Sequence, residues 1–343
     1  MTHVGPIDLP INLRPLLAEI AVSEADAAHV IAAVEGSWAR LVEIRRALAE
    51  LPGIPRELAV FAVGSLGRFE SSAASDLDFA VVHSGAAIAA EPAAAARHEL
   101  AAQLRARGHD VLDKTFRAPI ELGALLGDIG GEGDSNLHLT YRALLLTEGA
   151  WLANAAAAAE VTDAIFAAYA QGAISRGRFL SSLQNDLHRY YRTICVDYRF
   201  KVESAGKHWA IRYFKLRHAR KLWHLANLAL FCRAARLPDD ERDLHLAREL
   251  PRPPLLRLCA VLRDLDGLPL AGDLVRAYDG YLAALADPLL RRALDQIDYA
   301  ARNSDPLFLR MLAGAERFDL ATQAIAGHLW THCNEHLVRY GLL

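Results

Sequence analysis

Apolar residues recur at helical spacing over 24–51, where Ala27, Val30, Ile31, Val34, Trp38, Leu41, Ile44 and Leu48 form one face, Ser23 offers a cap and Pro52-Gly53 breaks the run. The pattern then changes to that of strands: 58–63 and 77–82 are short, nearly continuous apolar runs. A helix is predicted over about 92–107, started at Glu91-Pro92 and stopped by Gly108, with a further strand near 110–117 that Pro119 closes. Beyond that point the periodicity is helical. It predicts helices near 135–148, with Ser135 as N-cap and Gly149 as stop, and near 156–171, 178–204, 207–235, 271–286, 287–302 and 318–340. Gly206, Pro238, Pro251-Arg252-Pro253-Pro254, Gly267 and Pro288 punctuate them, although Pro288 also suits the first position of a helix. The predicted class is α+β: a small mixed-sheet core over 57–150, preceded by a helical segment over 1–56 and followed by an all-helical domain over 151–343.

Composition changes this picture little. A chain of 343 residues can bury a sizeable core and favours more than one domain, and 53% hydrophobic with 23% charged residues is ordinary for a globular protein. A net charge of -3 gives no global attraction to nucleic acid, so any basic surface is local. Cys195, Cys232, Cys259 and Cys333 lie far apart, which indicates neither a disulfide framework nor a zinc knuckle and fits a reducing cytoplasm. The first residues lack the basic start and apolar core of a signal peptide. No membrane span is expected either, because Glu160 and Asp163 interrupt the alanine-rich stretch 155–170.

The chemistry concentrates between the first two strands. Asp76 and Asp78 alternate with Leu77 and Phe79, so on a strand both carboxylates share one face while the apolar residues enter the core. Two adjacent carboxylates repel unless a cation lies between them, and Mg²⁺ held by one or two carboxylates plus substrate phosphates answers that need. Ahead of the pair, Gly64 permits a sharp exit that lets backbone and the Ser65 hydroxyl approach an anion. Gly67 permits a second close approach, and Arg68 carries a fork suited to phosphate oxygens or to pairing with Glu70. Neither Gly-x4-Gly-Lys-Ser/Thr nor Gly-x-Gly-x-x-Gly is present.

Gly64-Ser65, ten residues, then Asp76-x-Asp78 resembles the signature of the polymerase-β-like nucleotidyltransferase superfamily. The fuller form Gly-Ser-x-Gly-Arg-x-Glu-x4-Ser-Asp-x-Asp resembles the branch that holds the bacterial uridylyltransferase of nitrogen signalling and related nucleotidyltransferases of unknown substrate. The resemblance covers 58 to about 119, with weaker similarity over 130–146 and 185–225. It implies a nucleoside triphosphate (NTP) substrate, Mg²⁺ (or Mn²⁺) on Asp76 and Asp78, and Gly64 and Ser65 on the β- and γ-phosphates. It also implies a third carboxylate on a neighbouring strand. Asp110 and Asp113 are the candidates; their opposite parity allows only one to join the pair, and both read equally well as exposed turn residues. The acceptor that the resemblance favours is a protein, ahead of RNA or a small molecule.

One stretch is locally basic. Residues 185–224 hold ten Lys and Arg against Asp186, Asp197 and Glu203, interleaved with tyrosine and tryptophan. One of its helices could close the cleft opposite the aspartates, with Lys215 or Arg217 on the phosphates. The same residues also read as a solvated helix face backed by core aromatics, or as an RNA groove. His332-x-x-Glu335-His336 matches a zinc-protease pattern but is followed by too little chain to supply a further ligand. Three functions thus stand at this stage: nucleotidyl transfer, a catalytically weak nucleotide-binding regulatory module, and RNA binding through 185–224.

Overall fold

A computed structural model describes residues 10–51, 53–112, 115–170, 180–204 and 208–341. Asp113, Gly206 and Lys207 lie outside the described residues, as does the start of the helix expected from 178.

The sheet forms where the continuous apolar runs predict it. Strand β1 (Leu58–Val63) is buried at every position and lies second from one edge of a four-stranded sheet of order β3-β2-β1-β4. Strand β2 (Asp78–His83) runs antiparallel to it, with Val63 opposite Asp78 and Leu58 opposite His83. Two short strands complete the sheet: β3 (Ile120–Glu121), parallel to β2, and β4 (Ala150–Ala153), antiparallel to β1. The sheet is therefore mixed, within an α+β fold.

Among the described residues of 110–117 no strand forms. Only Val111 makes a bridge, to Leu77, and pairing with β2 resumes after Pro119. The cause lies in the helix predicted ahead of it, α4 (Ala90–Ala106; the three helices before it are given below). Its buried Arg97 donates to the carbonyl of Phe116 at 3.0 Å, and its Arg105 donates to that of Val111 at 3.1 Å, so guanidinium groups take carbonyls that a ladder would use. Strand β4 carries the sheet beyond 150.

Helix α1 (Arg14–Glu19) precedes the long amphipathic α2 (Ala28–Ala49), and α3 (Gly64–Gly67) is a single turn after β1. Ser23 caps a 3-10 turn just before α2, while the amides of His29 and Val30 donate to Asp279 at 2.7 and 2.9 Å. Asp279 belongs to a helix of the C-terminal half, so α2 is capped by a residue about 250 positions away. Helices α5 (Leu122–Leu126), α6 (Asn136–Glu148) and α7 (Ala155–Ala170) cover the sheet, and Ser135 accepts the amide of His138 as the expected cap of α6.

The C-terminal half is helical throughout its described residues: α8 (Ser181–Glu203), α9 (Trp209–Lys215), a π-helical turn (Leu216–Arg220), α10 (Lys221–Ala234), α11 (Asp239–Glu249), α12 (Pro254–Asp264), α13 (Ala271–Ala286), α14 (Pro288–Asp295) and α15 (Pro306–His336). Pro288 does open a helix, with Asp287 as its cap. Pro254 opens α12, inside the run read as a breaker. One continuous apolar core joins the sheet to these helices. Among the described residues no helix is long and apolar enough to cross a membrane.

Candidate active site

The turn after β1 is fixed by contacts that only glycine allows. Gly64 has φ +73°, and a Cβ there would stand 3.1 Å from Oδ2 of Asp78, which β-pairing places beside it. A Cβ on Gly67 would fall 1.8 Å from the Glu148 carbonyl oxygen. The close approach at Gly67 is thus made by the end of α6, and Gly67 does not line the cleft described below. Phe69, at φ 61°, reverses the chain so that the Glu70 amide donates to Ser65 O at 2.8 Å.

Beneath the turn lies a carboxylate that sequence reasoning missed. Glu148 is buried and accepts the Gly64 amide at 3.0 Å, Arg68 Nη1 at 2.8 Å and Arg220 Nη1 at 3.4 Å. Arg68 donates its Nε to Glu70 at 2.8 Å, so its guanidinium is engaged on two sides. It braces the turn, one of the two roles open to it in the sequence, and it also lines the cleft described below. Burial pushes the Glu148 carboxyl up, but Arg68 and Arg220 outweigh it and hold the group below its ordinary value. For Glu70 burial wins over Arg68 and the carboxyl is raised. The available signal for Glu148 was an acid in the last turn of a helix that is otherwise buried from Tyr141 onward, where the helix dipole disfavours it unless a cation is at hand.

Gly64, Ser65, Asp76 and Asp78 open onto one cleft of about 1540 Å³. Its opposite wall is built from α8, α9 and the π-turn, and carries Lys215 and Arg220. Lys215 has no hydrogen bond or ion pair among the described residues. Burial pulls its pKa below the ordinary lysine value, against the opposing pull of Tyr198 and Asp76. Arg217, the other candidate, does not line the cleft: Asp319 on α15 takes its Nε at 3.1 Å and also its Nη2, and Tyr213 accepts Nη1 at 2.7 Å.

Asp110 is exposed and does not line the cleft, while its carbonyl accepts the Leu77 amide at 2.7 Å. Its charge, like that of Asp76, acts on Arg40, whose guanidinium is pulled down by burial. Among the described residues no group of three or more His, Cys, Asp or Glu is placed to hold a metal. Glu43, Glu70 and Asp197 also line the cleft, and of its carboxylates Asp76 and Asp78 stand beside the Gly64 turn, hard oxygens of the kind that suit Mg²⁺ or Mn²⁺ when substrate oxygens complete the coordination. The His332–His336 pair is spent elsewhere, His332 on the His328 carbonyl and His336 on Gln184.

Much of the basic stretch is neutralised within the protein. Arg189 pairs with Asp186, Arg199 with Glu203, Lys201 with Asp197, and Arg217 and Lys221 with Asp319. Arg192, Arg212 and Lys215 line the cleft without an ion pair among the described residues.

Residues 12–115 match the family described as Putative nucleotidyltransferase DUF294. The match is consistent with the polymerase-β-like nucleotidyltransferase superfamily, does not separate its branches, and supports nucleotidyltransferase activity in general. It spans α1 to α4 with both aspartates and ends before β3, so most of the helical wall of the cleft lies outside it. No curated protein matches the chain.

Proposed function

We propose that the protein is a Mg²⁺-dependent nucleotidyltransferase that moves a nucleoside monophosphate from an NTP to a hydroxyl acceptor, releasing pyrophosphate. The observation that carries this reading is that Gly64, Ser65, Asp76, Asp78 and Lys215 all line one cleft. Asp76 and Asp78 would hold Mg²⁺, or Mn²⁺ in its place. The ion, when bound, offsets charge on the triphosphate and acidifies the acceptor hydroxyl. The Ser65 hydroxyl donates to a β- or γ-phosphate oxygen, and the missing side chain of Gly64 keeps the Asp78 carboxylate close to that phosphate. Lys215 meets the charge that develops on departing pyrophosphate from the opposite wall. Arg68 and Glu148 act beneath the turn, holding its shape.

The acceptor we favour is a polypeptide. A cleft of about 1540 Å³ exceeds the roughly 300–1,000 Å³ of an ordinary small-molecule site, which leaves room beside the nucleotide. On its wall α8 exposes Val196 and Phe200, one turn apart, which suits an apolar side chain of a partner better than RNA or an aminoglycoside. Four free cysteines agree with a cytoplasmic setting. A second reading, nucleotide binding without turnover, is favoured by the position of Asp110 outside the cleft.

Incubation of the full chain with α-labelled NTPs, Mg²⁺ and cell lysate tests both. Label transfer with pyrophosphate release is expected, reduced about a thousandfold in the variant Asp76→Asn with Asp78→Asn. Transfer retained by that variant refutes the metal assignment; NTP binding with no pyrophosphate release in any lysate selects the second reading.

A further inference from the structure

A second cavity, of about 700 Å³, lies between α13, the start of α14 and α15, and shares His29, Tyr281 and Ala286 with the cleft wall. Its volume is that of a small-molecule site. Gly280 of α13 and Gly314 of α15 line it, and a Cβ on either would meet no atom within 4 Å. Glycine inside a helix costs about 1 kcal/mol relative to alanine. Here no contact requires it, and a larger side chain at either position would enter the cavity.

Two of the charged groups around that space are unspent. Arg310 and Arg317 line it from one face of α15, seven residues or about 10.5 Å apart along the axis. Neither has a hydrogen bond or ion pair among the described residues. Arg276 reaches the cavity from α13 while bonded to Asp273 and to the Ala21 carbonyl. Asp287, the acid among the lining residues, is occupied as the cap of α14.

His218 of the π-turn also lines the cavity and is only 1% exposed. Its Nδ1 lies 2.9 Å from the Phe214 carbonyl, an acceptor, so Nδ1 carries the hydrogen. Burial holds its pKa down at about 4, which keeps the ring neutral and leaves Nε2 an acceptor. No described residue donates to that nitrogen. The ring stacks on Tyr281 at 4.4 Å, which fixes its direction.

We propose that this cavity binds a small hydroxylated phosphomonoester, its phosphate dianion held by Arg310 and Arg317 and a hydroxyl donating to Nε2 of His218. Two unpaired guanidinium groups match a dianion, and the neutral imidazole requires a donor. The site is independent of nucleotidyl transfer and is tested without nucleotide.

The experiment is calorimetric titration of the full chain with glycerol 3-phosphate, beside inorganic phosphate and glycerol, each of which lacks one half of the recognised chemistry. Saturable binding of glycerol 3-phosphate is expected, tighter than either control. The variant Arg310→Ala with Arg317→Ala weakens it about tenfold or more, and Gly314→Leu, which fills the open space, abolishes it. These residues lie at the surface or face open space, so both variants fold. His218→Phe removes the preference for glycerol 3-phosphate over phosphate. Absence of saturable binding in the millimolar range overturns the proposal, as does binding that neither Gly314→Leu nor the arginine variant changes, which places the probe elsewhere.

Discussion

Replacing Glu148 with Gln removes one negative charge from between two guanidinium groups while keeping the shape of the side chain. Glu148 is 0% exposed, Arg68 6% and Arg220 16%. A charge left unpaired at such depth costs about 3–5 kcal/mol. The glutamine oxygen can still accept the Gly64 amide, a bond worth about 1 kcal/mol, so the expected loss lies at the lower end, about 3 kcal/mol. A domain has about 5–15 kcal/mol in total, so the variant folds but unfolds in roughly 1 M less urea. Intrinsic tryptophan fluorescence reports the transition; Trp223 is placed to respond, since its indole donates to Thr147, the residue before Glu148. Arg199→Ala is the control. It breaks an ion pair that is 76% and 59% exposed and shifts stability by less than about 0.5 kcal/mol. Adding Arg68→Met to Glu148→Gln costs at least about 1 kcal/mol less than the sum of the single changes. If Glu148→Gln costs no more than the control, the carboxylate does not anchor the turn, and the account of how Gly64 is held fails.

Two further outcomes follow from the same geometry. Lys215→Ala lowers the rate of nucleotidyl transfer about a hundredfold, since it removes a cation facing the aspartates, whereas Arg217→Ala leaves the rate within about threefold and costs about 1 kcal/mol of stability through the lost Asp319 pair. Steady-state kinetics with both variants decide this, and equal losses refute the division of labour. Stability falls between pH 6.5 and about 4. His188, His218 and His336 are held down to about 4, and His224 to about 3, by burial, so the unfolded chain binds more protons than the native one throughout that window. Each histidine contributes up to about 1.4 kcal/mol per pH unit there, and urea midpoints that stay flat from pH 6.5 to 4.5 contradict it.

What the sequence made legible, and what it did not, divides along physical lines. Strands β1 and β2 were readable because their apolar runs are continuous and end at residues with one local meaning each. Ser135 as a cap and Pro288 as a helix start were readable because both signals act over two or three residues. Strand β4 was not, since Gly149-Ala150-Trp151-Leu152-Ala153 runs into an alanine-rich helix and becomes a strand only by pairing with β1. The strand near 110–117 was over-read because side chains from α4, invisible to local periodicity, take its carbonyls. Helices α11 and α12 were hidden by prolines that can open a helix as well as end one. At the site, Gly64, Ser65, Asp76 and Asp78 stood within fifteen residues and could be read together, but Glu148 and Lys215 reach them only through tertiary packing.

The π-turn explains why spacing could not choose between Lys215 and Arg217. On an uninterrupted α-helix Lys215 and Arg220 stand five positions apart, about 140° around the axis, and cannot share a wall. The π-turn over Leu216–Arg220 inserts extra backbone, so that both reach the cleft while Arg217 turns to Asp319 and His218 to the second cavity. Such turns carry weaker hydrogen-bond geometry than the helices they interrupt and are frequent at functional sites. Its worth here is the separation of charges: one cation faces the aspartates, one braces Glu148, and a third secures α15. Deleting a single residue between Lys215 and Arg220 would leave them four positions apart, about 40° around an α-helix, so the side that faces the cleft and Glu148 is kept without the π-turn. Nucleotidyl transfer and stability should both survive that deletion, whereas inserting an alanine after Lys215 turns Arg220 away from Glu148 and lowers both; equal effects of the two changes refute the register argument.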